Sequence, residues 1–320
     1  MIRNMTGDDF SRLRLFTCNS HPELAQEIAE HMGVELGKAT VTKFSDGEIS
    51  VSIWESVRGM DCFIIQSTSE PVNDNLMELL IMTDALKRAS ANSVTAVIPY
   101  YGYARQDRKA KARDPITSKL VANMLTAAGV NRVITMDLHA SQEQGFFDIP
   151  VDHMVGQPLL TDYFKLKDLD DLVIVSPDHG SVSRARNMAK PFNVPIAIID
   201  KRRPEPNKSE IMNVIGDIEN KNCLILDDMI DTAGTICNAA KALMDLGAKS
   251  VYACATHAVL SGPAIERIEA SPIKEMVLLN TIPIPEEKRI KKITVLSTGH
   301  IFAETIMRVY SNKPISVMFN

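Results

Sequence analysis

Asp227 and Asp228 stand side by side after an apolar run, and the turn beyond them, Asp231-Thr232-Ala233-Gly234-Thr235, is rich in hydroxyls and small residues. The whole segment, residues 223–236, reads CLILDDMIDTAGTI. Four apolar residues fit a buried strand, the acidic pair falls at its end, and the Thr-Ala-Gly-Thr turn opens a helix. In an open parallel α/β sheet, that edge is where ligands bind. Free N–H groups at a helix N-terminus suit a phosphate dianion, and two carboxylates accept hydrogen bonds from a sugar diol. A phosphorylated ribose offers both. An acidic loop with a threonine N-cap would account for any two of these features, though not for the series.

Other residues able to do chemistry are spread along the chain. Arg105, Arg108, Lys109, Lys111 and Arg113 crowd one segment just after the aromatics Tyr100, Tyr101 and Tyr103. That segment is either a solvated basic loop or a cover for phosphates. Phe44, Asp46 and Glu48 surround Gly47 in FSDGEI, where Asp-Gly between β-branched residues reads as a hairpin turn. Asp137 and His139 lie two apart at an expected strand end, so an extended backbone would turn both to one side. A lone histidine in such a place is also a common structural residue. Lys201, Arg202 and Arg203 follow an apolar run, with Pro204 and Pro206 arguing against an ordered continuation. Three cations at the root of a polar loop are ordinarily solvated. Neither G-x-x-x-x-G-K-[ST] nor a post-strand G-x-G-x-x-G occurs, so any nucleotide is held without the familiar phosphate loops.

These residues need a scaffold, and the composition supplies one. A chain of 320 residues that is 45% hydrophobic can bury a substantial core, and its length suggests two domains. The first dozen residues carry no apolar core of signal-peptide length, and no run approaches the roughly 18 apolar residues of a membrane span. A cytoplasmic protein with no membrane partner is expected. The cysteines at 18, 62, 223, 237 and 254 are odd in number and lack a C-x-x-C pair, which points to core thiols and away from disulfides or zinc. A net charge of −5 argues against nucleic acid as the main partner.

Short β-branched runs alternate with longer amphipathic stretches, the pattern of βαβ units and a mostly parallel sheet. Strands are expected at residues 14–18, 40–44, 49–54, 62–66, 94–99 and 132–137, then at 172–176, 195–200, 223–227, 250–256, 275–279 and 293–296. Residues 119–128 place Leu120, Val121, Met124, Leu125 and Ala128 on one helical face, with Gly129 as the stop. Residues 235–246 repeat the design with Ile236, Ala239, Ala240 and Leu243, stopped by Gly247. The two halves look like copies of one plan, with a boundary near Val155.

Six motifs follow one another in order: FSDGEI at 44–49, YARQDRK at 103–109, DLHA at 137–140, SPDHG at 176–180, KRRP at 201–204 and the segment 223–236. The last resembles the phosphoribosyl pyrophosphate (PRPP) fingerprint of type I phosphoribosyltransferases. Together, over residues 13–319, the six resemble ribose-phosphate pyrophosphokinases, also called PRPP synthetases. The resemblance implies an α/β fold of two tandem phosphoribosyltransferase-type domains, 1–155 and 156–299, with a C-terminal helix and tail, 300–320, packing back on the first. It implies an enzyme that transfers the diphosphoryl group of MgATP to O1 of ribose 5-phosphate, forming PRPP and AMP for nucleotide biosynthesis.

By the same resemblance, Phe44 stacks on adenine while Asp46 and Glu48 meet its amino edge or ribose, from a hairpin reaching into the neighbouring subunit. Arg105 and Gln106 contact ATP beneath a mobile basic loop. His139 contacts ATP and Mg²⁺, with Asp137 orienting it or binding through water, and Asp178 is the other Mg²⁺ ligand. Asp178, His179, Gly180 and Ser181 cradle the pyrophosphate, and Lys201 and Arg203 close on the phosphates from a catalytic loop. Asp227, Asp228, Asp231, Thr232, Ala233, Gly234 and Thr235 hold ribose 5-phosphate. A homo-oligomer is implied, a dimer at least and a hexamer by family habit. Phosphate and ADP are implied effectors, at positions matched by Ser56, Arg58, Arg113, Ser141, Gln144 and Ser316.

Two departures stand out. The family usually has Gly-Gly at Gly180-Ser181, where a Cβ in a tight phosphate turn weakens binding unless the hydroxyl adds a donor. It commonly has serine at Pro314, and proline brings neither hydroxyl nor N–H to an anion site. Two alternative readings remain. A phosphoribosyltransferase needs residues 223–236 but none of the other motifs, and a non-catalytic regulatory homologue is expected to lose the catalytic loop, where this chain keeps Lys201 and Arg203.

Overall fold

Parallel strands covered on both faces read as continuous apolar runs, and the computed structural model, which describes residues 10–202 and 211–318, assembles two sheets from such runs. Contacts among the described residues divide the chain into two units. One extends to Val155 and takes in Thr281–Pro283 and the segment from Ser297 onward; the other is Gly156–Asn280 with Ile284–Leu296.

The first unit runs β1 (Leu13–Thr17), α1 (Pro22–Met32), β2 (Ala39–Lys43), β3 (Ile49–Ile53), β4 (Asp61–Ile65), α2 (Val72–Arg88), β5 (Ser93–Ile98), α3 (Thr117–Ala128), β6 (Arg132–Met136) and β7 (Val151–Met154). Its sheet has the order β1-β4-β5-β6-β7 and is parallel throughout, while β2 and β3 form a separate antiparallel hairpin. The second unit runs α4 (Gln157–Lys167), β8 (Leu172–Ser176), α5 (Val182–Ala189), β9 (Ile196–Arg202), β10 (Ile211–Ile215), β11 (Asn222–Ile230), α6 (Gly234–Asp245), β12 (Ser250–Ala258), α7 (Ala264–Ala270), β13 (Ile273–Leu279) and β14 (Ile293–Leu296). Its order is β10-β9-β8-β11-β12-β13-β14, with only β10 antiparallel to its neighbour. A last helix, α8 (Gly299–Tyr310), lies against α1 in the first unit.

Four differences from the sequence-based expectations have physical causes. Strand β7 was not anticipated, because Val-Asp-His-Met alternates poorly and follows Pro150; an ion pair from Arg132 Nη1 to Asp152 Oδ2 at 2.6 Å helps to fix it on β6. Strand β9 continues through Lys201 and Arg202 because β10 returns beside it, pairing Ile211 with Arg202. Helix α3 buries Ser118, Val121, Ala122 and Leu125, and Leu120 is exposed, since it sits about 100° round the helix from Val121. Strand β11 also runs three residues past Asp227, to Ile230.

That last extension shapes the site. On one side β11 stays paired with β12 as far as Ile230 and Ala258, while on the other its pairing with β8 stops at Ile225 and Val175. Asp227 and Asp228 therefore lie on a strand that outruns its neighbour, with a gap beside them. In a parallel sheet this carboxyl-end crevice receives ligands.

Candidate active site

The crevice in the second unit is built from two strand-to-helix turns. Beyond β11, the turn 231–233 leads into α6, whose N-cap is Ala233 at φ 58° with no side-chain capping bond. The threonine N-cap is therefore absent; the left-handed residue ends the turn, and among the described residues no side-chain cap is made to the first turn of α6. These amides and the positive end of the helix dipole suit a phosphate. Thr232 and Thr235 are exposed at the turn, Gly234 is partly so, and Ala233 is buried.

The same turn is gripped from behind. Backbone N–H groups of Leu260 and Ser261 donate to the carbonyls of Ile230 (2.9 Å) and Asp231 (3.1 Å). The Ser261 hydroxyl donates to the Asp231 carboxylate. Arg267 Nη1 donates to the Thr232 carbonyl at 3.0 Å.

Asp228 is buried and Asp227 nearly so, with the Asp228 N–H donating to Asp227 Oδ1 at 2.9 Å. Burial, and then the adjacent Asp228 carboxylate, raise the pKa of Asp227 well above the usual carboxylate range. Arg184, on α5, partly offsets this: its Nη1 lies 3.4 Å from Asp228 and 3.8 Å from Asp227. A pair sharing one proton can both accept from and donate to vicinal hydroxyls.

Beside it, the turn from β8 to α5 carries Asp178, His179, Gly180 and Ser181. The Ser181 N–H donates to Asp178 Oδ1 at 2.9 Å, the Ser176 hydroxyl to the Asp178 carbonyl at 2.7 Å, and His179 Nε2 lies 3.0 Å from Asp200 Oδ1. Ser181 has φ −89°, open to any L-residue, so its Cβ introduces no backbone strain at this turn. Lys201 lies in β9 by its backbone, while Arg203 falls outside the described residues.

In the first unit, the loop after β5 brings Arg105 and Gln106 to a pocket of about 400 Å³ lined also by Tyr100, Gly102, Tyr103 and the start of α2. Gln106 is tied to α3: Thr117 Oγ1 donates to its Oε1 at 2.5 Å, and the Ser118 N–H to its carbonyl at 3.2 Å. Phe44, Asp46 and Glu48 do not line this pocket. They form the exposed tip of the β2–β3 hairpin, with Phe44 60% exposed and Lys43 paired to Asp74 of α2 at 2.5 Å.

The expectation for Asp137 and His139 is corrected in its geometry. Strand β6 ends at Met136, and Asp137 takes φ 39°, so the two side chains do not share the face of an extended strand. Asp137 is half-buried and His139 exposed. Their loop is held instead by His153 on β7, whose Nε2 accepts the Leu138 N–H at 2.9 Å, and by the buried Glu143, whose Oε1 accepts the Ala140 N–H at 2.9 Å while Oε2 meets the Ser118 hydroxyl. The six expected effector residues are all exposed; among the described residues, a hydrogen bond joins only Gln144 and Ser141, Nε2 to carbonyl at 2.9 Å. The Pro314 carbonyl accepts from Arg308 at 3.1 Å.

No group of three or more His, Cys, Asp or Glu side chains gathers as a metal cage among the described residues. Asp178 and His139 are exposed donors, one in each unit. An exposed carboxylate such as that of Asp178 fits a hard cation that keeps most of its waters and binds largely through substrate phosphates.

Sequence reasoning missed Arg184, Ser261, Arg267, His153 and Glu143. Arg184, Ser261, Arg267 and His153 each reach a motif from another segment of chain, so no local spacing marks them, whereas Glu143 meets the Ala140 N–H from only three residues on, the spacing of a helix-start cap.

Residues 13–129 match the N-terminal domain of ribose phosphate pyrophosphokinase, and residues 202–320 a phosphoribosyl synthetase-associated domain. The chain is 64% identical to a ribose-phosphate pyrophosphokinase of Corynebacterium ammoniagenes over 97% of its own length and 98% of that protein. It is 60% identical to that of Bacillus subtilis over the full length of both. A crystal structure of phosphoribosylpyrophosphate synthetase from Mycobacterium smegmatis superposes with a TM-score of 0.90 at 47% identity, covering 94% of this chain and 100% of that one.

Proposed function

The chain belongs to the ribose-phosphate pyrophosphokinase family, and from that we infer how its residues divide the work of the reaction. It is an enzyme that transfers the diphosphoryl group of ATP to O1 of ribose 5-phosphate, giving PRPP and AMP for nucleotide biosynthesis. Attack falls on the β-phosphorus, so acceptor oxygen and departing AMP must lie in line, and catalysis is mostly alignment and charge neutralisation.

The observation that carries the assignment is the pairing of Asp227 and Asp228 with the uncapped N-terminus of α6 on the open side of one strand end. In our reading, Thr232, Thr235 and the amides of 232–235 receive the 5-phosphate, and the carboxyl pair receives the ribose hydroxyls. Held partly protonated, the pair donates to one hydroxyl and accepts from the other. Asp178 and its turn face the diphosphoryl group from the adjoining strand end. Arg105 and Gln106 receive ATP in the first unit, and Phe44, Asp46 and Glu48 serve the adenine of another copy of the chain, since in this one they stand apart from the Arg105 pocket.

Mg²⁺ suits Asp178 and His139, and when bound supplies charge neutralisation on the phosphates. Lys201 and Arg203 then add cations where negative charge develops. Phosphate and ADP remain the proposed effectors at Ser56, Arg58, Arg113, Ser141, Gln144 and Ser316, and a cytoplasmic homo-oligomer is the proposed working form.

The test is direct: purified chain with ATP, ribose 5-phosphate and Mg²⁺ should yield AMP and PRPP in equal amounts. Consumption of PRPP with a nitrogenous base would mark a phosphoribosyltransferase. Inertness of the folded chain until another synthetase subunit is added would mark a regulatory homologue.

A further inference from the structure

We propose that Arg267 is a positioning residue for ribose 5-phosphate, fixing the turn 231–235 in its binding form and placing a positive charge behind it. This rests on the assignment of that turn to the sugar phosphate.

The turn needs outside restraint. Ala233 is left-handed at φ 58°, a conformation that alanine holds only where its surroundings impose it. Arg267 flanks this residue on both sides in sequence. Its Nη1 donates to the carbonyl of Thr232 at 3.0 Å, and the same nitrogen would lie 3.3 Å from a Cβ added at Gly234. In a planar trans peptide the carbonyl and the following N–H point in opposite directions. Drawing the Thr232 carbonyl toward Arg267 therefore turns the Ala233 N–H away from it. Ser261 does the same one residue earlier, its N–H on the Asp231 carbonyl aiming the Thr232 N–H away. Of these two restraints on successive peptides, only that from Arg267 is carried by a side chain, and so only it can be removed by substitution without altering the backbone donor.

The guanidinium also brings charge. It backs a turn whose expected ligand is a dianion, reinforcing the positive helix end in the same direction. Arg267 is exposed on its outer side, where it lines a pocket of about 380 Å³ with Lys241, Asn238 and Cys237. Its replacement thus leaves no buried void, and the variants should fold.

The experiment measures KM for ribose 5-phosphate and for ATP, with kcat, in the Mg²⁺-supplied enzyme carrying R267A, R267Q or R267K, together with T235A as a reference change inside the turn. R267A and R267Q should raise KM for ribose 5-phosphate roughly tenfold, a loss typical of a hydrogen bond to a charged group, with KM for ATP within about twofold. R267K should recover part of the loss by restoring charge without the fork geometry. Added guanidinium ion, below denaturing concentration, should partly rescue R267A. If folded R267A keeps the wild-type KM for ribose 5-phosphate while T235A loses it, Arg267 does not position the turn and the proposal fails alone. If neither variant changes that KM, the turn does not hold ribose 5-phosphate, and both the assignment and this inference fall. Equal rises in both KM values would also overturn it, as general loosening of the unit.

Discussion

The turn at 231–235 and the hairpin tip at 44–48 are both short, polar and glycine-containing, yet they are held in opposite ways. Ser261 and Arg267 grip the first from a different helix and strand end, with a left-handed alanine at its centre and two largely buried carboxylates at its base. Among the described residues the second closes on itself: Phe44 N–H to Glu48 carbonyl at 2.8 Å, Gly47 N–H to Phe44 carbonyl at 2.9 Å, Glu48 N–H to Asp46 Oδ1 at 3.1 Å. Its phenylalanine projects into solvent. A turn braced by its own unit can bind a small anion without rearrangement, because the ordering cost was met on folding. An unsupported aromatic at a hairpin tip gains nothing until another surface covers it. On the proposed reading, the sugar-phosphate end is complete within one unit and the adenine end awaits a second copy.

The largest effect should come from residues in neither region. Lys201→Ala or Arg203→Ala should lower kcat by on the order of a hundredfold or more, with little change in either KM, because cations acting on the transition state contribute little to ground-state binding. Steady-state kinetics with each substrate varied would check this. A change confined to KM would leave the braced turn and the hairpin to supply the transition state between them.

Next in size, Asp228→Ala should weaken ribose 5-phosphate by roughly 1.5–3 kcal/mol, the worth of a hydrogen bond to a charged acceptor, and leave KM for ATP nearly unchanged. Equal effects on both substrates would mean that the pair serves a shared metal. Phe44→Ala should act in the opposite sense, weakening ATP by about 1–3 kcal/mol, the scale of base–aromatic stacking, and sparing ribose 5-phosphate. Because the hairpin is assigned to another copy, oligomers reassembled from Phe44→Ala and Lys201→Ala chains should regain activity that neither has alone. Native mass would verify mixing. Inactive mixed oligomers of folded chains would put adenine and catalytic loop in one subunit and dissolve the contrast.

Much of this was legible in sequence, and what was not has a common cause. The run Cys223 to Leu226, the acidic pair and the helix with Ile236, Ala239, Ala240 and Leu243 inward were readable because apolar periodicity is local. Strand β11's extension to Ile230 was not, since it depends on β12 continuing beside it where β8 stops. Leu120 misled for the opposite reason: its apolar side chain fits a helical stripe, but the buried face of α3 is centred on Val121, Ala122 and Leu125. The support of the His139 loop by His153, and of the turn 231–235 by Arg267, joins segments with no periodic signature. Glu143 in particular reads as an ordinary surface residue, and only the fold reveals that it is wholly buried against Ser118 and the Ala140 N–H.

The smallest predicted effect concerns stability and separates the two regions most cleanly. Asp227 is held above its ordinary pKa by burial and then by Asp228, so the folded chain retains a proton that the unfolded chain, titrating near 4, releases. A raised folded pKa means that this group's contribution to stability is full below about pH 4 and is lost as pH rises through the folded value. Asp227→Asn keeps the oxygen that accepts the Asp228 N–H and removes the titration. It should therefore stabilise the protein above neutrality, by on the order of 1–2 kcal/mol or a few degrees in Tm, with the gain shrinking toward pH 4. The site would be more stable and less able to bind ribose 5-phosphate. Asp46→Asn, on the exposed hairpin, should stay within about 0.5 kcal/mol of wild type, as a surface change that keeps the oxygen accepting the Glu48 N–H. Calorimetric melting of the three proteins between pH 4 and 9 would decide it. A drop in Tm for Asp227→Asn at pH 8 would show that Arg184 already neutralises the pair, and that the braced turn carries no more electrostatic strain than the free one.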